Sequence, residues 1–252
     1  PGCVLTTLTC AVSDNAALAA GGIFVDTNSI AVLSNTHLLN NIGLLGGGAV
    51  LVQNTGRLVL RGTDSFIVGN YALSGGGIFQ TRGAHATLEG GAVVGANLAG
   101  LAGGGVYMER TSHLLLHESG TMIGWGSFFF NQVTNGDGGG VYARDSSIVV
   151  SGVNCRVGGN GAVGSGGGMW LSNSTLHVVD GAAIGGGGLL NAALQDGGGV
   201  HLQHSTLLLS NGAAICSSIA ATNGGGIMAH ESLVIGIDNV AIGQAGGAAG
   251  NR

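Results

Sequence analysis

Histidines at matching positions are the first candidates for chemistry in this chain of 252 residues. His85 and His113 occupy the same position just before a predicted strand in neighbouring repeats. His204 and His230 match each other at a position two residues before that one. Stacked imidazoles could bind a metal or respond to pH, because histidine titrates near neutrality. No carboxylate or third ligand recurs with them. We therefore interpret these histidines as solvated turn residues and predict neither a metal site nor a cofactor.

A few carboxylates could support acid–base chemistry or bind calcium, as they do in enzymes that cleave polysaccharides. Asp137 and Asp196 share one repeat position, but Ser165 fills that position in the repeat between them. Arg144 lies one repeat beyond Glu109, and a ladder of salt bridges explains this arrangement as well as a catalytic cluster does. We therefore predict no catalytic residues and no enzymatic activity. A polysaccharide-binding or polysaccharide-cleaving protein is the alternative.

Composition excludes several other functions. The chain has no lysine, which excludes a P-loop lysine and a Schiff-base lysine. A net charge of −5 with scattered arginines offers no basic stripe for nucleic acid. No apolar run reaches the length of about 18 residues that a transmembrane segment needs. Cys3 and Cys10 could form a local disulfide or remain unpaired, and both interpretations stay open.

An internal repeat of roughly 28 residues organises the whole chain. Glycine supplies 53 residues, and runs of glycine recur directly before an apolar triplet. The spacing of these triplets ranges from 26 residues between the first two to 35 residues between the fourth and the fifth. The residues that follow the glycine runs, here called anchors, are Ile23, Ala49, Ile78, Val106, Val141, Met169, Val200 and Ile227.

Each repeat contains three short apolar segments in a constant order. The first begins at the anchor (residues 106–108), the second follows a polar turn (114–116), and the third ends in glycine (123–124). Three short strands per repeat predict one coil of a parallel β-helix, with neighbouring coils about 4.8 Å apart. We expect one all-β domain over residues 1–252. Its fold would be a right-handed parallel β-helix, a solenoid of pectin-lyase-like architecture with about eight to nine three-strand coils.

Glycine and asparagine are predicted to form the corners of the coil. The glycine run should lie where the chain bends between sheets, which requires a positive φ or a close approach of two backbones. An asparagine usually follows the third segment, and its amide could bond to the equivalent asparagine one coil away. The members of this predicted turn ladder are Asn70, Asn97, Asn131, Asn160 and Asn191.

Two stretches of the chain share a spacing of phenylalanine, asparagine and glycine. Phe128 and Asn131 precede residues 138–142, and residues 65–72 lead in the same way into 75–79. Both stretches resemble the FxxN and GGAI motifs of the chlamydial polymorphic outer-membrane proteins. The likeness extends over residues 12–249, although most repeats replace the phenylalanine by Val or Ile and the alanine by glycine. It implies a right-handed β-helix surface protein, an extracellular or cell-surface adhesin-like rod, with no catalytic residues to carry over.

Strand alternation places the middle residue of each triplet on the outside of the coil. The outward column of the first strand is then Phe24, Val50, Phe79, Tyr107, Tyr142, Trp170, His201 and Met228. The column of the second strand is Ala31, Val59, Thr87, Leu115, Val149, His177, Leu208 and Val234. Two adjacent apolar columns indicate an interface with another protein or with a second copy. A stabilising aromatic ladder and a carbohydrate platform are the alternatives. The selected interface residues are Phe24, Phe79, Tyr107, Tyr142, Trp170, Leu115, Val149 and Leu208.

The two ends of the sequence have matching repeat phases. Residues 1–20 and 245–252 would be incomplete coils, so the chain could be a section of a longer β-helix. Alternatively, identical chains could stack head to tail in an open filament. We expect a non-enzymatic structural or adhesive protein, either a surface adhesin stalk or a filament subunit. Its partners would be further copies of itself or other surface proteins, with a carbohydrate as the alternative ligand.

Overall fold

The computed structural model describes residues 2–124 and 130–243, and in these ranges the chain is all-β. It forms a solenoid of about 8 turns with ~28 residues per turn. Successive coils pair through parallel strands, and the anchors Ile78 and Val106 are direct partners. The predicted parallel β-helix is confirmed, while its right-handed winding stays a prediction.

Four parallel sheets run along the solenoid, and each coil contributes to them in the order A, B, C and D. Sheet A contains Val4–Leu8, Ile30–Ser34, Arg57–Arg61, His85–Glu89, His113–Leu116, Ser147–Ser151, Thr175–Val179, Thr206–Ser210 and Leu233–Ile237. Sheet B contains Ala11–Ser13, His37–Leu39, Phe66–Val68, Val93–Gly95, Met122–Ile123, Arg156–Val157, Ala183–Ile184, Ala214–Ile215 and Ala241–Ile242. Sheet C contains Ala16–Ala17, Ile42–Gly46, Tyr71–Ser74, Leu98–Ala102, Asn131–Val133, Asn160–Ala162, Asn191–Ala193 and Ser218–Ala220. Sheet D contains Ile23–Val25, Val50–Gln53, Ile78–Thr81, Val106–Met108, Val141–Arg144, Met169–Ser172, Val200–Gln203 and Ile227–His230.

The coil has four strands, so the prediction of three strands per coil is wrong. The three predicted strands correspond to sheets D, A and B, and sheet C is the additional one. Strands of sheet C such as Asn160–Ala162 consist of Asn, Gly and Ala, residues with low β propensity. Parallel pairing to the coils on both sides keeps these residues extended in spite of that propensity.

The first described coil begins with sheet A. Residues 4–17, within the predicted incomplete first coil, supply strands to sheets A, B and C, and no strand of sheet D precedes them among the described residues. Each of these strands pairs in register with the next coil. Residues 245–252, the predicted incomplete last coil, lie outside the described residues.

In the second coil, the strand of sheet D is shifted by one residue from its predicted position. Val50 pairs with Ile78 and is fully buried, so its prediction as an outward residue is wrong. Leu51 takes the outward place instead. The reason is that Ala49 takes the place of the third glycine. Its carbonyl oxygen accepts the backbone hydrogen bond that the third glycine accepts in other coils, so the strand starts one residue after Ala49.

Two outward positions of sheet A need the same correction. Ala31 pairs with Leu58 and is buried, so Val32 faces outward in that coil. Val234 pairs with the buried Leu207 and belongs to the inward column. In both coils the predicted apolar triplet is centred one residue before the position that faces outward in the neighbouring coils, and a shift of one residue exchanges the inner and outer faces of a strand.

The interior is a column of aliphatic side chains from sheets A, B and D. One row of sheet A is fully buried and in register from coil to coil: Leu33, Leu60, Leu88, Leu116, Val150, Val178 and Leu209. Each side chain packs on its equivalents above and below. Truncating one to alanine would cost about 2–5 kcal/mol of stability. This core fixes which residues of each strand remain outside.

Glycine triplets turn the chain from sheet C to sheet D. The first glycine has a positive φ, as in Gly103 at 62°. The second has no room for a side chain, because a Cβ on Gly104 would lie 2.5 Å from the carbonyl oxygen of Gly139. Both of the roles predicted for these glycines are therefore confirmed.

A Gly104→Ala substitution is expected to lower the free energy of unfolding by about 1–3 kcal/mol, because neighbouring coils must separate to admit the methyl group. Gly161→Ala is the matched control, since a Cβ there meets nothing within 4 Å. The control should be neutral or stabilise the fold by up to about 1 kcal/mol. Urea unfolding of both variants measures the difference, and equal effects would contradict the close-approach role.

Candidate interaction surfaces

A ladder of buried asparagines lines the corner between sheets B and C. In each coil the side-chain amide nitrogen donates to the Oδ1 atom of the next asparagine, over 2.9–3.1 Å. Its second hydrogen reaches a backbone carbonyl of sheet B, as Asn131 does at Val94. The continuous run is Asn41, Asn70, Asn97, Asn131, Asn160 and Asn191.

The structure brings all five predicted ladder asparagines together and adds two members. Asn41 continues the ladder, and Asn15 donates to its Oδ1 atom from both backbone and side chain. Sequence reasoning missed both, although Asn41 precedes Ile42-Gly43 just as Asn70 precedes Tyr71-Ala72. Because the amides from Asn41 to Asn191 are buried and hydrogen-bonded, the ladder fixes coil register. It is not open to a ligand.

An aromatic ladder occupies the outward column of sheet D. The ring centroids of Phe79 and Tyr107 are 4.7 Å apart, those of Tyr107 and Tyr142 5.0 Å, and those of Tyr142 and Trp170 4.5 Å. The planes are nearly parallel, at 18°, 3° and 6° respectively. His201 continues the stack at 6.2 Å from Trp170. The rings therefore cover one another's faces, and Tyr142 is only 7% exposed.

Charged groups close the side of this ladder. The Tyr107 hydroxyl donates to Glu109, and Arg144 donates to the Tyr142 hydroxyl over 3.1 Å. Burial, with the negative charge of Glu109, raises the pKa of Tyr107. Glu109 also pairs with Arg110, with 3.4 Å between Nε and Oε1. These partners replace the salt bridge from Glu109 to Arg144 that the sequence suggested.

The remaining selected residues are less enclosed. Phe24 faces outward with 53% exposure, but Leu51 separates it from Phe79 and the aromatic ladder. Leu115 and Val149 are adjacent in the outward column of sheet A and half-buried. Leu208 lies further along the same column, beyond the exposed His177. This column is therefore apolar but interrupted.

Sheet C carries the most exposed apolar surface, which the sequence analysis missed. We call it the sheet C face: the outward apolar residues of sheet C and of the turn that follows. Its members are Ile42, Leu44, Leu45, Tyr71, Leu73, Leu98, Leu101, Val163, Leu194 and Ile219. Four of them are more than half or nearly half exposed: Leu194 at 62%, Leu44 at 57%, Leu45 at 56% and Leu101 at 45%. The available signal was the apolar residue that often follows each ladder asparagine.

The strands that form the sheet C face are uncharged. No strand of sheet C contains Asp, Glu or Arg, and Asp137 and Asp196 are the carboxylates in the turns that lead to sheet D. Asp137 accepts a bond from the backbone of Ser165. The hydroxyl of Thr222, followed by Asn223, lowers the pKa of Asp196. Both carboxylates thus accept hydrogen bonds from the backbone of the next coil, and the two do not form a paired site.

The histidines make separate contacts. His85 and His113 stack with centroids 4.7 Å apart, and His113 also bonds to Ser147. His204 and His230 meet edge to face at 6.1 Å, and His204 pairs with Glu231. Within residues 2–124 and 130–243, no three His, Cys, Asp or Glu side chains are grouped as a metal site requires. Cys3 and Cys10 are exposed thiols that are not bonded to each other.

The stacked histidines are expected to make stability depend on pH. Burial, followed by the charges of His113 and Arg57, lowers the pKa of His85 below 6.5, and burial lowers that of His201. The folded state therefore resists protonation that the unfolded state accepts, so stability is complete above about pH 6.5 and falls as the pH drops below it. Thermal unfolding at several pH values between neutrality and pH 5 measures this loss. His85→Gln should flatten the dependence, and an equally steep profile would contradict it.

Comparison with protein-family models, with curated proteins and with solved structures finds no match to this chain. The resemblance to polymorphic outer-membrane proteins stays a prediction, and Phe128, one of its residues, lies outside the described part of the chain. A membrane-spanning helix, long and apolar enough to cross, does not occur among the described residues.

Proposed function

We propose that this chain is a non-enzymatic structural or adhesive β-helix that acts outside the cell or at its surface. It would serve as an adhesin stalk or as a filament subunit, and it would bind partners through the flank of the solenoid. The observation that carries this proposal is the sheet C face, an exposed apolar surface whose strands contain no charged residue. Soluble monomers rarely expose contiguous apolar patches of this kind, and such patches usually mark interaction sites.

The repeat architecture suits such a role. Stacked coils hold equivalent side chains at a constant spacing of about 4.8 Å, so a short motif becomes an extended surface. The asparagine ladder and the aliphatic core hold this surface rigid from coil to coil. A rigid, repetitive flank binds a partner over many weak contacts without a large loss of conformational entropy.

The carbohydrate alternative has less support. Sugars bind aromatic side chains through the faces of the rings, and the rings of Tyr107 and Tyr142 cover each other at 5.0 Å. Asp137 and Asp196 belong to separate coils, and each accepts a hydrogen bond from a backbone N–H of the next coil. The ladder on sheet D is better explained as a stabilising element than as a sugar platform.

Two measurements on the source organism and the purified chain test the proposal. Antibodies against the chain should label intact cells or extracellular material, and external protease should remove the label while a cytosolic marker survives. Retention of the protein inside intact cells would overturn the proposed location. The purified chain should release no reducing ends from pectin, alginate or glucan. Cleavage of any of them would overturn the non-enzymatic role.

A further inference from the structure

We infer that the sheet C face is a self-association surface, on which the sheet C face of a second copy of this chain packs side by side. This inference rests on the proposed function and names the partner of the same surface. It differs from the interface expected from sequence, which lay on the outward columns of sheets D and A.

Apart from Leu194, the leucines of this face lie in three consecutive coils. Leu45, Leu73 and Leu101 follow one another at the outer end of sheet C, and Leu73 lies against Gly100 of the next coil. Ile42 and Tyr71 flank them in direct register. Side chains that stay 37–56% exposed have apolar area left to bury, and burying the remaining half of each leucine at an interface strengthens association roughly three- to tenfold.

The area of the sheet C face suits an interface with a second copy of the chain. Eight strands about 4.8 Å apart give sheet C a length of roughly 34 Å, and strands of mostly three residues give it a width of about 12 Å, or roughly 400 Å². Contact that includes the turns to sheet D enlarges this area toward the roughly 800 Å² per partner of a standard specific interface. A partner that touched one or two coils would leave most of the face open.

Charge favours a copy of the same chain. Each copy has a net charge of −5, so two copies repel unless they meet where carboxylates are fewest. The strands of sheet C are free of charged residues, and pairing two such faces keeps most charges of both chains away from the contact. A basic or acidic peptide would find no counter-charge here. A second copy also presents coils at the same spacing, so the side-chain ridges of one can fit between those of the other.

The test is the oligomeric state of the purified chain and of matched variants. Sedimentation equilibrium over a range from about 1 to 200 µM should show a reversible dimer with a Kd of micromolar order. The double variant Leu73→Asp, Leu101→Asp should weaken association by about 100-fold or more, since each buried carboxylate would be unpaired. Val153→Asp is the control: this valine is 64% exposed in the turn between sheets A and B, outside the sheet C face. Its Kd should equal that of the unmodified chain.

Several outcomes would overturn the inference. One is a chain that stays monomeric at the highest concentration, and another is association that the double variant leaves unchanged, which would assign it to another surface. Circular dichroism and urea unfolding must show that the double variant keeps the fold; otherwise Leu73→Ser, Leu101→Ser replaces it in the same assay. Binding of the monomer to phosphatidylcholine vesicles, lost in the variant, would make a lipid surface the occupant instead. None of these results changes the cell-surface labelling or the polysaccharide assay, so the two proposals fail separately.

Discussion

Replacement of Asn131 by alanine is expected to lower the free energy of unfolding by about 4 kcal/mol. The substitution would remove two acceptor bonds from Asn97 and two donor bonds, to Val94 and Asn160. All of these groups are buried, and a buried polar group without a partner costs about 1–3 kcal/mol. Partial entry of water would keep the total below the simple sum.

Gln132→Ala is the matched control for this prediction. Gln132 is the next residue of the same strand, and its side chain is exposed on the outer surface. Its removal should change stability by less than about 0.5 kcal/mol. Urea unfolding of the two variants under identical conditions measures the contrast. If Asn131→Ala costs no more than the control, the asparagine ladder does not stabilise the solenoid.

Tyr142→Ala is expected to cost about 3–5 kcal/mol, because it removes the central ring of the aromatic ladder. The ring is almost fully buried between Tyr107 and Trp170, and each stacked pair contributes about 0.5–1.5 kcal/mol beyond the burial of apolar area. The near-ultraviolet circular dichroism of Trp170 should weaken as well, since its closest aromatic neighbour is lost.

Tyr142→Phe separates the ring from its hydroxyl group. This variant keeps both stacking contacts and loses only the bond from Arg144, whose side chain is exposed. Its effect should stay within about 1 kcal/mol. Thermal unfolding of both variants measures the difference. Similar losses of stability in the two would mean that the hydroxyl group, rather than the stacked ring, stabilises this column.

The sequence determined the architecture because glycine recurs at the repeat positions where the backbone conformation or the neighbouring coil leaves no room for a side chain. Glycine triplets recur where one glycine needs a positive φ and the next lies against the following coil, as Gly103 and Gly104 do. The apolar triplets after them alternate with a period of two, which only strands satisfy. Repeats of this kind predict stacking of like on like, and the pairing of Ile78 with Val106 follows directly.

The sequence also indicated which side chains form ladders. The five selected asparagines occupy one place in the repeat, and a parallel stack brings equal places together, so their mutual bonds follow from the fold. The same holds for the rings from Phe79 to Trp170. The prediction is wrong by one residue at Val50, where Ala49 takes the place of the third glycine, and at Ala31 and Val234, where the triplet is centred one residue early. A shift of one residue exchanges the inner and outer faces of a strand.

Only the tertiary structure decided where the fourth strand and the open surface lie. Strands such as Asn160–Ala162 have neither β-branched nor aromatic residues, and they are extended because coils on both sides supply hydrogen bonds. Exposure likewise depends on neighbours. The outward rings of sheet D cover one another, whereas Leu45 and Leu101 on sheet C remain about half exposed, since no described element packs over them. Residue type gives the apolar character of both columns, and packing alone determines which of them is left available to a partner.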